Sequence, residues 1–366
     1  MTGSTGDATV TADWIRSLPK AEVHVHLEGS FELIDLLELA KAAGEPLPGP
    51  AATLFDLGTH HGFAVPEVTT GGGRDNGAGV GGLTGFLRFL DWQCGLVRTR
   101  EQAARHAYRF AARQSASGVA YTDVIVNPTH WRAWRGREAA LLAALAAGFD
   151  EAEQDGLCAV GICVSLLRQQ SSAEGADVAR WIARDRPHRV VGLSVDGDER
   201  AAPRSGARFA EAFTIARDAG LGRTVHTGES SGPDSVWEAL DLLHAQRIDH
   251  GIRAVEDPVL LRRLADDGVS LGVCPHSNIT LGLYPDLARH PIGRLVAAGV
   301  TVTVNTDDPA PLRTTLEAEW LAVAESLGWD RERVVRLALD SVAASFAPAE
   351  TRERLRAQLE RVPLAA

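Results

Sequence analysis

Residues 21–27, Ala-Glu-Val-His-Val-His-Leu, form a β-rich apolar run with two histidines, His24 and His26, near its end. Side chains two apart on a strand face the same side, with Cα atoms roughly 6.6 Å apart. Seven more runs of this kind follow: VAYTDVIV (119–126), LCAVGICVSL (157–166), RVVGLSV (189–195), GRTVHTGE (222–229), RIDHG (247–251), VSLGVC (269–274) and VTVTVNTDD (300–308). Several are almost wholly apolar, as expected of strands covered on both faces. Amphipathic helical patterns lie between them. Residues 31–43 place Leu33, Leu36, Leu37 and Ala40 on one face, with Ser30 as the expected N-cap. Thr99 and Gln102 form a capping box ahead of a helix that should stop at Gly118. Helices are also expected over 203–219, from Asp257–Pro258 to Gly268, and over 291–298. Strand and helix alternating eight times predict a single (β/α)8 TIM-type barrel with extra helices. A doubly wound open sheet is the structural alternative. Residues 68–82, VTTGGGRDNGAGVGG, read as a Gly-rich loop after the first βα unit, either a linker or a lid over the barrel mouth.

The rest of the composition narrows the class. The chain has 366 residues, 45% of them hydrophobic and 23% charged, which is globular and excludes wholesale disorder. Its formal net charge of -11 disfavours nucleic acid and anionic membrane surfaces as partners. No stretch approaches the roughly 18 apolar residues of a membrane span. The N-terminal residues lack the basic and apolar regions of a secretory signal, so a cytoplasmic location is expected. Residues 1–12 are expected to be disordered, and 13–366 to form one catalytic domain. Cys94, Cys158, Cys163 and Cys274 form no C-x-x-C pair and read as buried reduced thiols.

Barrel active sites sit at the C-terminal ends of the strands. There the sequence places His24 and His26 on strand one, His226 and Glu229 on five, Asp249 and His250 on six, and Asp307 and Asp308 on eight. Singly, each has an ordinary structural reading. Asp308 before Pro309, for example, suits a helix N-cap. Together they would bury many ionisable groups at one mouth, which is costly without compensation. Metal coordination supplies it, and three nitrogens with one carboxylate oxygen suit Zn²⁺, with iron or manganese as alternatives.

LPKAEVHVHLEGS, VHTGES, RIDHG, CPHSN and VNTDDP, taken in this order, resemble the adenosine/adenine deaminase branch of the amidohydrolase superfamily. The likeness runs from Leu18 to beyond Leu316 and extends to DGDE (196–199) and SGPDSVWEAL (231–240). It implies one zinc ion per chain held by His24, His26, His226 and Asp307. It implies Glu229 as the proton shuttle, His250 as the group orienting the attacking water, and Asp308 as a hydrogen-bond acceptor. For substrate binding it implies the Gly197 backbone N–H and Glu28. Strand four lacks a lysine that could bridge a second metal, in keeping with a mononuclear site.

The expected reaction is hydrolytic deamination of a 6-aminopurine nucleoside, adenosine-like, to the 6-oxo product and ammonia. The alternatives are deamination of adenine, or of a modified adenine or aminodeoxyfutalosine. More distant are another amidohydrolase activity and a non-catalytic zinc-binding relative. The departures concern specificity. The chain has HLEG at 26–29 where adenosine deaminases usually have HLDG, yet DGDE looks adenosine-like. The Trp- and Arg-rich segment 130–137 is expected as a solvated helix start or a substrate-contacting arm. His276 should either face the pocket or cap a turn.

Overall fold

A computed structural model describes residues 9–55, 82–202 and 204–364. Eight parallel strands occur in chain order: β1 (Lys20–His26), β2 (Val119–Val126), β3 (Ala159–Leu167), β4 (Val190–Asp196), β5 (Gly222–Thr227), β6 (Arg247–His250), β7 (Ser270–Val273) and β8 (Val302–Val304). Each pairs with the next, as in Val25 opposite Val124 and His226 opposite Asp249. The sheet closes where the segment after β8 meets β1. The His26 N–H donates to the Asp307 carbonyl at 2.8 Å, and the Asp307 N–H to the His24 carbonyl at 3.2 Å. This is the expected (β/α)8 barrel, with helices between the strands.

Alternation along the strands divides the core. On β1, His24 and His26 turn to the barrel mouth, while Val23 and Val25 are buried on the alternate face. Fully burying side chains such as Leu193, Val225 and Ile248 stabilises the fold by roughly 1.5–3 kcal/mol each. The lower end of the barrel is polar and mostly paired, although the Arg247 Nη2 is buried without a hydrogen-bond partner. Arg247 donates from Nη1 to Asp123 Oδ2 at 2.8 Å and stacks over Phe346 at 4.4 Å.

The helix signals hold in part. Thr99 and Gln102 form the expected reciprocal cap on the helix Arg100–Ala116. Asp257 caps the helix Pro258–Asp266 as expected. Ser30 does not cap the next helix. Its hydroxyl donates to the Leu27 carbonyl within the short turn Glu28–Ser30, and Glu32 with Asp35 caps Leu33–Ala43 instead. The local turn wins because the chain must leave β1 sharply to bring Glu28 to the mouth. The helix expected over 203–219 spans Gly206–Asp218. Residues 1–8 of the N-terminal stretch lie outside the described residues, whereas Thr11 caps the helix Ala12–Ser17. Of the Gly-rich segment 68–82, all but Gly82, which opens the helix Gly82–Gly95, lies outside them too. All four cysteines are buried and free.

Candidate active site

The strand ends bring the predicted groups to one place. His24 Nε2 lies 3.0 Å and His26 Nε2 2.9 Å from His226 Nε2. Asp307 Oδ1 is 3.4 Å from His24 Nε2 and 3.5 Å from His26 Nε2. His250 is adjacent: one atom each of His24, His226, His250 and Asp307 fall within 4.8 Å of one another. His250 Nε2 is 3.6 Å from Glu229 Oε1 and 4.0 Å from Asp307 Oδ2. Two of these residues have left-handed backbones, His250 at φ 69° and Asp307 at φ 63°. Non-glycine residues there cost of order 1–3 kcal/mol, and such strain clusters at functional sites.

The hydrogen bonds on the far side of each ring set its tautomer. His24 Nδ1 is 2.7 Å from the Gly272 carbonyl, so it carries the proton and donates. His226 Nδ1 faces the Asp249 carboxylate at 3.3 Å, and a carboxylate so close favours the ring tautomer with its proton on that nitrogen. Both Nε2 atoms therefore present lone pairs to each other at 3.0 Å. Two lone pairs at that distance repel unless a cation lies between them. Two donors so spaced can both reach one ion at about 2.0–2.1 Å, and Asp307 adds the negative charge. The donor set thus fits a divalent metal, with the carboxylate on His226 acting as the usual outer partner. Asp307 is itself oriented by the Ser277 hydroxyl at 2.6 Å.

Glu229 sits on a turn that Glu199 holds. The Glu199 carboxylate accepts the backbone N–H groups of Gly228, Glu229, Ser230 and Ser231 at 2.7–3.0 Å. Burial, with Asp307 and Glu199 nearby, pushes the Glu229 carboxyl up to about 8. It is therefore able to hold a proton near neutral pH. Burial beside Asp307 and Glu28 also raises the Asp308 carboxyl well above its ordinary range. Asp308 Oδ1 is buried without a hydrogen-bond partner.

The cleft over these groups is lined by His26, Glu28, Gly197, Glu229, His250 and Asp308, among others. Glu28 Oε1 accepts the Asn127 N–H at 2.9 Å and the Trp131 indole N–H at 2.7 Å. Its Oε2 is buried and unpartnered. Segment 130–137 resolves into two behaviours. Trp131 and Trp134 are buried, and Arg132 pairs with Asp91 at 3.0 Å. His130 alone of that segment lines the cleft, with Nδ1 2.8 Å from Asp91 Oδ1. His276 is exposed and lies outside the cleft lining.

The sequence placed Asp249 at the mouth without a role, and Ser277 and Asn278 went unnoticed. Asp249 was visible as the residue before His250, but its role needs the β5–β6 register. Asn278 and Ser277 lie within the CPHSN motif, where only His276 drew notice.

The geometry agrees with the chain's relatives. A sequence profile described as adenosine deaminase matches residues 49–362. An adenine deaminase of Sinorhizobium medicae is 36% identical over 342 residues, covering 93% of this chain and 98% of that protein. The crystal structure of an adenine deaminase from Arthrobacter aurescens superposes with a TM-score of 0.82 at 26% identity, covering 94% of this chain and 98% of that one. An amidohydrolase from Burkhoderia ambifaria, crystallised with bound Zn, gives 0.81 at 25% identity, covering 97% and 94%. The chain belongs to the adenosine deaminase family. It is a metal-dependent hydrolase of the amidohydrolase fold that deaminates at C–N bonds. No helix among the described residues is long and apolar enough to cross a membrane.

Proposed function

We propose that the protein deaminates free adenine, with adenosine-like nucleosides as the poorer substrates. This reverses the order expected from the sequence. The observation that carries the chemistry is the meeting of the His24, His26 and His226 Nε2 atoms beside Asp307, with Glu229 and His250 alongside. His24, His26, His226 and Asp307 would hold one zinc ion. His250 lies as close, but its Nδ1 is 3.4 Å from the Asn278 amide nitrogen and accepts from it. Its Nε2 therefore carries a proton and is a donor, which leaves His26 as the third nitrogen ligand. Bound there, zinc would lower the pKa of water to about 7 and so supply a nucleophile near neutral pH.

The chain's own residues do the rest. Glu229 gives a proton to ring nitrogen N1 as attack proceeds at C6, because C6 is electrophilic only when N1 is protonated. The Glu229 carboxylate then takes the proton of the hydroxyl now on C6 and passes it to the departing amine, which leaves as ammonia while the N1 proton stays on the 6-oxo product. The His250 Nε2–H faces Glu229 and Asp307 and stabilises negative charge growing on the attacking oxygen. Asp308, with its unpartnered Oδ1, accepts a hydrogen bond from the water or the ring. The Gly197 N–H, at the end of β4, meets a further ring nitrogen.

Glu28 supports the choice of base over nucleoside. Its Oε1 is locked by Asn127 and Trp131, so the free Oε2 needs a donor from the ligand. The imidazole ring of free adenine has an N–H, whereas in a 9-linked nucleoside that position is occupied by the sugar. The names of the similar proteins point the same way.

The test is ammonia release across adenine, adenosine, AMP and N6-substituted adenines. A kcat/KM for adenosine equal to or above that for adenine would overturn the substrate reading. Glu229→Gln should keep its metal and lose at least about 100-fold in turnover. Near-normal turnover in that variant would remove Glu229 from its role.

A further inference from the structure

We infer that Asn278, itself held by His290, is a positioning residue that aims Glu229 and His250 at the substrate. This deepens the reading above and rests on Glu229 being the proton carrier. The network starts at a backbone group. The Ile292 N–H donates to His290 Nδ1 at 3.2 Å, so that nitrogen is the acceptor. In a neutral imidazole the proton then sits on Nε2. Burial lowers the His290 pKa to about 4, which keeps the ring neutral. His290 Nε2–H donates to Asn278 Oδ1 at 3.1 Å.

That bond decides which way the amide lies. With Oδ1 committed to His290, the Asn278 NH₂ group must point into the site. It donates to Glu229 Oε1 at 3.0 Å and lies 3.4 Å from His250 Nδ1. The flipped amide would set an oxygen against a carboxylate and two N–H groups against each other. One amide thus serves both partners. It selects the Glu229 oxygen that faces His250, and it fixes the His250 tautomer with the proton on Nε2. Asn278 is fully buried and His290 nearly so, so water does not compete for these bonds.

Asn278 and His290 bind neither the substrate nor a metal ligand in this scheme. Their effect is on geometry, and misplacing a catalytic group by about 1 Å can cost on the order of 100-fold. Asn278→Ala and His290→Leu should each lower kcat on adenine by about 10- to 100-fold, with KM within about twofold of the parent. Metal content should stay at that of the parent enzyme. His290→Gln, whose side-chain amide can still donate to Asn278, should recover most of the kcat lost in His290→Leu.

The decisive measurement is a double-mutant cycle. Glu229→Gln combined with Asn278→Ala should be slower than Glu229→Gln alone by much less than Asn278→Ala slows the parent, because the part of its effect that runs through Glu229 is already lost and only the part through His250 remains. Losses that multiply would mean a general structural role and would overturn the inference. Should Asn278→Ala not fold, the His290→Leu and His290→Gln pair gives the answer. Equal kcat in those two variants would count against the clamp. The two readings fail separately. Full activity in Glu229→Gln would remove the premise, whereas an inactive Glu229→Gln with normal kcat in Asn278→Ala and His290→Leu would refute the clamp alone.

Discussion

The Glu199 carboxylate accepts the backbone N–H of Glu229 at 3.0 Å. One buried acid, ionised and pinned by the turn, thereby sets the position of another that carries a proton. Burial would raise Glu199, but Arg168 at 3.8 Å and the hydrogen bonds of the turn outweigh it and lower its pKa. Removing it leaves Arg168 without its charge partner and four backbone N–H groups without an acceptor. Glu199→Ala should therefore cost on the order of 3–5 kcal/mol, measured by urea denaturation. Glu199→Gln should cost less and keep some activity. A stability loss below about 1 kcal/mol in Glu199→Ala would show that the turn holds itself.

Gly29, just after β1, packs tightly against Asp308. A Cβ built there would lie 1.9 Å from Asp308 Oδ1. Backbone and carboxylate cannot both stay in place. Gly29→Ala should displace Asp308 and lower kcat/KM by roughly 100-fold or more, with metal content unaffected. Steady-state kinetics beside metal analysis checks this. An active Gly29→Ala enzyme would argue against any role for Asp308 in its present position.

His226 is oriented by Asp249, which faces its Nδ1 at 3.3 Å from fully buried surroundings. Loss of such an outer partner typically weakens metal binding by about 10- to 100-fold. Asp249→Asn should show that loss in a competition titration with a chelating dye. His226→Ala should be purified with well under one metal equivalent per chain. Dialysis of the parent against a chelator should abolish deamination, and added zinc should restore it. Unchanged metal affinity in Asp249→Asn would remove the outer partner from the scheme.

Lys20 begins β1 and is buried. Its Nζ donates to the carbonyls of Ile15 at 2.8 Å and Leu18 at 3.2 Å. Burial lowers its pKa from 10.5 to about 7. Between those values the unfolded chain binds a proton that the folded chain does not, so stability rises with pH across that window. Below about pH 7 both states are protonated and this contribution is flat. Lys20→Met should remove the slope. Urea midpoints at pH 7.5 and 9.5 should rise in the parent and differ less in the variant; parallel shifts would show that Lys20 keeps its proton.

Eight strands, their order and the residues at their C-terminal ends were legible in the sequence. Strand periodicity and the turn residues between runs are local properties, and the barrel follows from their repetition. The candidate ligands and Glu229 were legible because a barrel sends every strand end to one mouth. Other features were invisible until the chain closed. Ser30 looked like a cap until the exit from β1 claimed its hydroxyl for Leu27. Asp249 became a partner of His226 only through the register between β5 and β6. Asn278 met Glu229 across 49 residues of chain, and His290 reached it only through Asn278. Residue type and local pattern determine which elements form and which groups are available. Hydrogen-bond partners, tautomers and the space around a side chain depend on atoms remote in sequence, so only the folded chain decides them.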